Sequence, residues 1–300
     1  MVPATLTEAL ARVMPGRVRA DEPLARHTSF RIGGPADVLV QPDTAEELGV
    51  VMREAAAQGV GVSMLGGGSN MLVGDGGIRG VVVKLGRGFR RVEWGEQGVR
   101  AGAAVQLGRI ARESVGRGLS GLEHAEGIPG TVGGALFMNA GAYGGDVAAV
   151  VDAVWGVDAS GRVQRLDRTA LAFQYRRAVL PAGFVVTAVA FALRPDVAAP
   201  TRMDDARRRR TASQPHGLAN AGSIFKNPRG DHAGRLIEAA GLKGWRVGGA
   251  RISERHANFI VNEGRAHAAD VQALMSVAQR AVWERSGVWL EPEVRLVGSW

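Results

Sequence analysis

Three hundred residues with a formal net charge of +8 and no cysteine give enough chain for about two domains, each with its own core. The missing thiols exclude disulfides, thiolate nucleophiles, iron-sulfur clusters and cysteine zinc sites. Aromatic residues make up only 5% of the chain and lysine occurs only at 84, 226 and 243, so rings for stacking on bases are few and the positive charge is read as serving small anionic ligands, not nucleic acid.

The N-terminus lacks a charged segment followed by an apolar one, and the longest strongly apolar run, 184–193, is too short to cross a bilayer. The expectation is a cytoplasmic protein that does not enter membranes. Residues 36–41, 61–65 and 81–85 read as extended. Residues 44–58 read as a helix, with Thr44 as N-cap, Glu46 and Glu47 in the first turn and Gly59 past the end. A second helix, 106–117, carries Leu107, Ile110, Ala111, Ser114 and Val115 on one face and stops at Gly118. From 121 to 146 no period is visible and small residues dominate, but Ile128, Val132, Leu136, Phe137 and Met138 argue for backbone shaped around a ligand and against a linker. Beyond it, 150–157 and 184–193 look like buried strands, and 195–200 is the expected domain boundary. The last third holds an expected helix at 233–240, a strand at 257–261, a long helix at 268–285 with Val271, Leu274, Met275, Ala278 and Val282 on one stripe, and a strand at 289–297.

The run LGGGSNMLV, 65–73, sets three glycines, Ser69 and Asn70 after a short apolar strand. Successive glycines let backbone N–H groups converge on an anion, which suits a pyrophosphate. No Lys-Ser/Thr pair follows, so this is not a P-loop, nor does it match GxGxxG. Alone it fits a structural turn equally well; a second glycine-rich loop at 127–134 favours a long dinucleotide. In the final run, Leu290, Val294 and Leu296 alternate with Glu291, Glu293 and Arg295, leaving the charged set to line a cleft or meet solvent. Arg207, Arg208, Arg209 and Arg210 would spread around a helix, most of them solvated, with one left to reach a phosphate.

HTSFRIGGPAD (27–37), LGGGSNMLV, EGIPGTVGGALFMNAGAYG (126–144), GSIFKNP (222–228), AGLKGWRVGGARISERHANFIVN (240–262) and WLEPEVRLVG (289–298) occur in an order that resembles the UDP-N-acetylenolpyruvoylglucosamine reductases. The resemblance covers nearly the whole chain from His27 onward. It implies an α+β fold: an FAD-binding domain of the vanillyl-alcohol-oxidase/PCMH type at 22–196, in lobes of about 22–60 and 61–196, and a C-terminal α+β substrate-binding domain at 201–300. It implies noncovalent FAD, NADPH as co-substrate, and reduction of an enolpyruvyl UDP-sugar to UDP-N-acetylmuramate in peptidoglycan precursor synthesis, by a chain favoured to be a monomer.

The same resemblance places cofactor contacts at Gly66, Gly67, Gly68, Ser69, Asn70, Gly127, Ile128, Pro129, Gly130, Thr131, Gly133, Gly134, Asn139 and Gly141. Ser223 matches the family's proton donor, Arg176 the arginine that holds the enolpyruvyl carboxylate, and Glu293 the group assisting protonation or stabilising the enol form. Lys226 and Asn227 fall at substrate positions, Asn227 on the diphosphate. A serine is a weak acid in water, so that role needs a strongly basic carbanion close by and positive charge beside it; the bland reading of Ser223 is a cap ahead of Asn227-Pro228. By chemistry alone Arg177 competes with Arg176. Ala178 stands where the family often has serine, His256 reads as structural, and the segment between Arg176 and Ser223 has no tyrosine, which resembles the shorter type without a tyrosine lid. An FAD oxidase or electron-transfer flavoprotein would keep the glycine loops but has no reason to keep Ser223, Arg176 and Glu293 together.

Overall fold

The computed structural model describes residues 2–300 and divides the chain into two compact units. The first holds the chain up to Ala20, Asp37–Gly67 and Gly80–Arg210; the second holds Asp21–Ala36, Gly68–Arg79 and Thr211–Trp300.

In the first unit a five-stranded antiparallel sheet runs in the order Val163–Asp167, Val151–Val157, Val185–Ala192, Gly98–Gly102, Val92–Gly95. The two expected buried strands are its second and third members. Val185–Ala192 is buried along nearly its whole length, as a valine-rich run without alternation requires when both faces are covered. Helix α1 (Ala4–Val13) and helix α2 (Ala45–Ala57) bury Leu6, Leu10, Leu48 and Val51 with Val38, Val40, Val81 and Val83 of neighbouring strands. Thr44 caps α2 as expected, its hydroxyl accepting from the N–H of Glu47 at 3.2 Å. Helix α3 (Leu107–Gly116) buries the expected face, and helix α4 (Val132–Phe137) lies in the stretch where no period was visible. Residues 195–200, expected as the domain boundary, lead into helix α5 (Ala199–Ser213), which buries Met203 and Ala206.

The second unit packs helix α6 (Ala233–Ala239) and helix α7 (Ala268–Ser286) with the antiparallel strands Arg246–Val247, Ala250–Ile252 and Ile260–Asn262. The α7 stripe is buried as its spacing predicts. The 257–261 strand begins late, because Phe259 N–H donates back to His256 in a turn at 3.0 Å. The 289–297 strand shrinks to Arg295–Val297, paired in parallel with Met71–Val73. Pro292 lacks an N–H for a ladder and biases the residue before it. The expected alternation fails at its end, where Leu296 is 39% exposed. Among the described residues no helix is long and apolar enough to cross a membrane.

The two faces of α7 give a direct test. Leu274→Ala should destabilise the second unit by about 2–5 kcal/mol through a buried cavity, while Arg280→Ala on the exposed face should stay within about 0.5 kcal/mol of the parent. Denaturant unfolding of both variants measures the difference.

Candidate functional site

In the first unit the two glycine loops meet backbone to backbone. A Cβ on Gly67 would stand 2.8 Å from Gly130 Cα, and one on Gly66 would stand 3.1 Å from Thr131 Oγ1. Gly127 (φ 73°) and Gly130 (φ 114°) hold the second loop in conformations that side chains rarely adopt. The N–H groups of Gly66 and Gly67 donate to no acceptor among the described residues. A cradle with no room for a side chain, and two consecutive donors left open among the described residues, fits the pyrophosphate of a dinucleotide such as FAD.

The start of α4 is different. Val132 N–H donates to Val105 (2.8 Å), Gly133 N–H to Ala103 (3.0 Å) and Gly134 N–H to the Thr131 hydroxyl (3.4 Å). Gly133 is needed for packing, since its Cβ would lie 2.9 Å from Ala103 Cβ. Gly141 backs onto Gly145, with no space for a Cβ against its carbonyl. Asn139 is buried, with its amide bonded to Ala148, Gln174 and Asp146. Ile128 and Pro129 lie at the partly open rim of the loop.

Arg176 sits at the tip of the hairpin Ala172–Gln174 and Arg177–Val179. Its φ of 60° is left-handed for a non-glycine residue, a costly conformation that concentrates at functional positions. Its guanidinium carbon lies 4.9 Å from the centre of the Tyr175 ring. Arg176 is half-buried whereas Arg177 is exposed, a difference that chemistry alone could not supply. Nearby, His124 is buried against Gly145, and burial first, with the Arg176 charge helping, pushes its imidazole below the usual range and favours the neutral form.

The arginine run resolves residue by residue. Arg207 pairs with buried Glu126 at 3.3 Å, and Arg208 and Arg209 pair with Asp205. Arg210 turns the other way and packs over Gly127, whose Cβ would stand 2.7 Å from Arg210 Cδ. Burial pushes its guanidinium below the ordinary value. The sequence marked one member of the run as different without revealing which, because helix phase is set by Met203 and Ala206 packing inward.

In the second unit, Gly222 (φ 73°) presents Ser223 at the start of a short extended segment. Phe225 bridges Pro292, Glu293 N–H donates to Ile224 at 2.8 Å and Lys226 N–H donates to Glu291 at 2.9 Å. Ser223 and Glu293 are therefore carried on adjacent paired segments. The Ser223 hydroxyl makes no hydrogen bond among the described residues, so it is not the turn cap of the bland reading. Gly68 packs against the His27 carbonyl and accepts from Ser29 N–H at 3.0 Å, leaving no space for a Cβ. Asn70 donates its amide to the Glu293 carbonyl at 3.0 Å, tying the region of Ser69 to the Glu293 segment. Lys226 pairs with exposed Glu291, and Asn227 accepts from Ala233 N–H at 3.1 Å at the start of α6. His256 packs edge-on to Phe259, 4.9 Å between ring centres, with burial lowering its pKa.

One residue escaped the sequence reading. Asn258, 3% exposed, accepts from Phe225 N–H at 2.9 Å and donates to the Phe225 carbonyl at 2.8 Å, while its own carbonyl takes Ile224 N–H. It fixes the backbone directly after Ser223, and its only signal was an amide inside the apolar run ANFIV.

Comparison with known proteins now bears on this geometry. The family described as "FAD binding domain" matches residues 36–167, and "UDP-N-acetylenolpyruvoylglucosamine reductase, C-terminal domain" matches 214–297. The UDP-N-acetylenolpyruvoylglucosamine reductase 2 of Symbiobacterium thermophilum is 49% identical over 95% of this chain and 93% of its own. The crystal structure of the reductase from Thermus caldophilus superposes with a TM-score of 0.80 at 38% identity, covering 93% of this chain and 97% of that one. A Physcomitrella patens BBE-like protein shares the fold alone over 65% of this chain and 45% of its own, with a TM-score of 0.50 at 21% identity. The chain belongs to the UDP-N-acetylenolpyruvoylglucosamine reductase family.

Proposed function

We propose how this FAD-dependent UDP-N-acetylmuramate dehydrogenase of peptidoglycan precursor synthesis distributes its chemistry over its own residues. The glycine cradle of Gly66, Gly67 and Gly130 holds the cofactor pyrophosphate, and Arg210, lying over Gly127, sets a half-buried cation beside an anionic ligand. FAD held there would supply hydride transfer between NADPH and the enolpyruvyl group.

Arg176 takes the enolpyruvyl carboxylate. A guanidinium offers a planar fork to two carboxylate oxygens and stabilises the charge that develops as hydride arrives. Ser223 gives the proton that completes the reduction, and Glu293 assists that transfer. The observation that carries this assignment is the Ser223 hydroxyl: it has no partner among the described residues, and the backbone directly after it, 224–226, is clamped by Asn258 and the 291–294 segment. A capping serine would have spent its oxygen on a neighbouring N–H. Lys226 and Asn227 follow on the same segment and reach the UDP phosphates.

Three substitutions test these roles. Gly67→Val should yield a folded protein without bound FAD, because its side chain enters the Gly130 backbone; flavin absorbance of the purified protein reads this directly, and normal flavin content would move the pyrophosphate elsewhere. Arg176→Lys keeps charge but loses the fork, so flavin content should hold while reoxidation by the enolpyruvyl sugar slows strongly; near-parent reoxidation would shift the role away from Arg176, with Arg177→Lys as the control. Ser223→Ala should be reduced by NADPH at close to the parent rate yet reoxidise about a hundred- to ten-thousand-fold more slowly. Equal slowing of both half-reactions in stopped-flow traces would remove Ser223 as proton donor.

A further inference from the structure

Asn139 follows the last turn of α4 with a φ of 41° and is 3% exposed. Its Oδ1 accepts from Ala148 N–H at 2.9 Å. Its Nδ2 donates to the Gln174 carbonyl at 3.1 Å and to Asp146 Oδ2 at 3.3 Å. An amide nitrogen carries two hydrogens, so both donors are occupied by protein.

The receiving partner matters. Gln174 closes the first strand of the hairpin whose tip holds Tyr175 and Arg176, and it pairs across the turn with Arg177. That hairpin is a two-stranded ladder of its own and is not hydrogen-bonded into the five-stranded sheet. Two strands alone are marginal in water, and this pair must also hold Arg176 left-handed at φ 60°. Asp146 is anchored in turn, its Oδ1 accepting from Ala149 N–H at 3.2 Å. Asn139 thus joins the end of α4, the 146–149 turn and the root of the Arg176 turn through one side chain.

We propose that Asn139 is a positioning residue for Arg176: its amide struts the 172–179 hairpin so that the guanidinium is held where the enolpyruvyl carboxylate arrives, and it does not bind the cofactor. This rests on the reading of Arg176 as the carboxylate-binding arginine.

The test uses the full-length, flavin-loaded protein with Asn139→Gly, which tolerates the left-handed backbone, and Asn139→Asp, which keeps the acceptor for Ala148 but loses both donors. Flavin content should match the parent in both. Amide hydrogen exchange should accelerate over 172–179 and not over the five-stranded sheet. Reoxidation by the enolpyruvyl sugar should slow about ten- to a hundred-fold, the size expected of a reacting group displaced by about an ångström. In an Arg176→Lys background the same substitutions should cost almost nothing further, since both act through one contact. Loss of flavin from both variants would make Asn139 a cofactor or folding residue and overturn the proposal. Unchanged exchange over the hairpin, or the full cost repeated in the Arg176→Lys background, would overturn it as well. Parent-like reoxidation by Arg176→Lys alone would instead remove the role of Arg176, and hydrogen exchange would then decide the strut by itself.

Discussion

Gly67 and Gly130 approach so closely that a single methyl group on Gly67 would lie 2.8 Å from the facing Cα. Two irregular loops far apart in sequence must therefore be delivered to the same place with no side chain to cushion the contact. The rest of the first unit can be understood as the delivery system. The 127–134 loop is pinned by Leu107, Val132 and Gly133 to the strand end and helix start around Ala103 and Val105, while the loop at Gly66 and Gly67 follows the short strand Val62–Met64, paired in parallel with Val81–Val83. Backbone groups spent on that pinning are unavailable to a ligand, which separates donors that hold the loop from donors still open to one.

Buried or half-buried asparagines recur where these segments lack regular structure. Asn70 holds the Glu293 carbonyl, Asn258 brackets Phe225, Asn139 holds Gln174, and Asn262 donates to the Phe30 carbonyl while accepting from Gly264 and Ala266. Irregular backbone still has to satisfy its N–H and C=O groups when buried. A primary amide offers both donor and acceptor on a short stem and so replaces a missing strand partner.

Features set by local chemistry were legible in the sequence: the Thr44 cap, the α7 stripe, and the face of α3. Features set by distant partners were not. The strand expected at 289–297 is split between two partners, an isolated bridge from Pro292 to Phe225 and the parallel pairing of Arg295–Val297 with Met71–Val73. The glycine loops announced a ligand, but their mutual contact had no signature in either. The separation of Arg210 from Arg207, Arg208 and Arg209 depends on helix phase, which a run of identical residues conceals. The roles of Ser223, Arg176 and Glu293 came from resemblance; what the structure adds is an unpaired hydroxyl, a left-handed arginine and a clamped backbone around them.

The left-handed turn at Arg176 has a consequence for any attempt to harden this protein. Glycine or asparagine at that position would fit the backbone with less strain, so a selection scored on thermal resistance alone would reward its replacement. The gain would come at the residue proposed to hold the enolpyruvyl carboxylate, placing stability and the proposed activity in opposition at one position of the hairpin. Improved variants would have to be sought in the scaffolding that supports the turn, with the turn itself left strained.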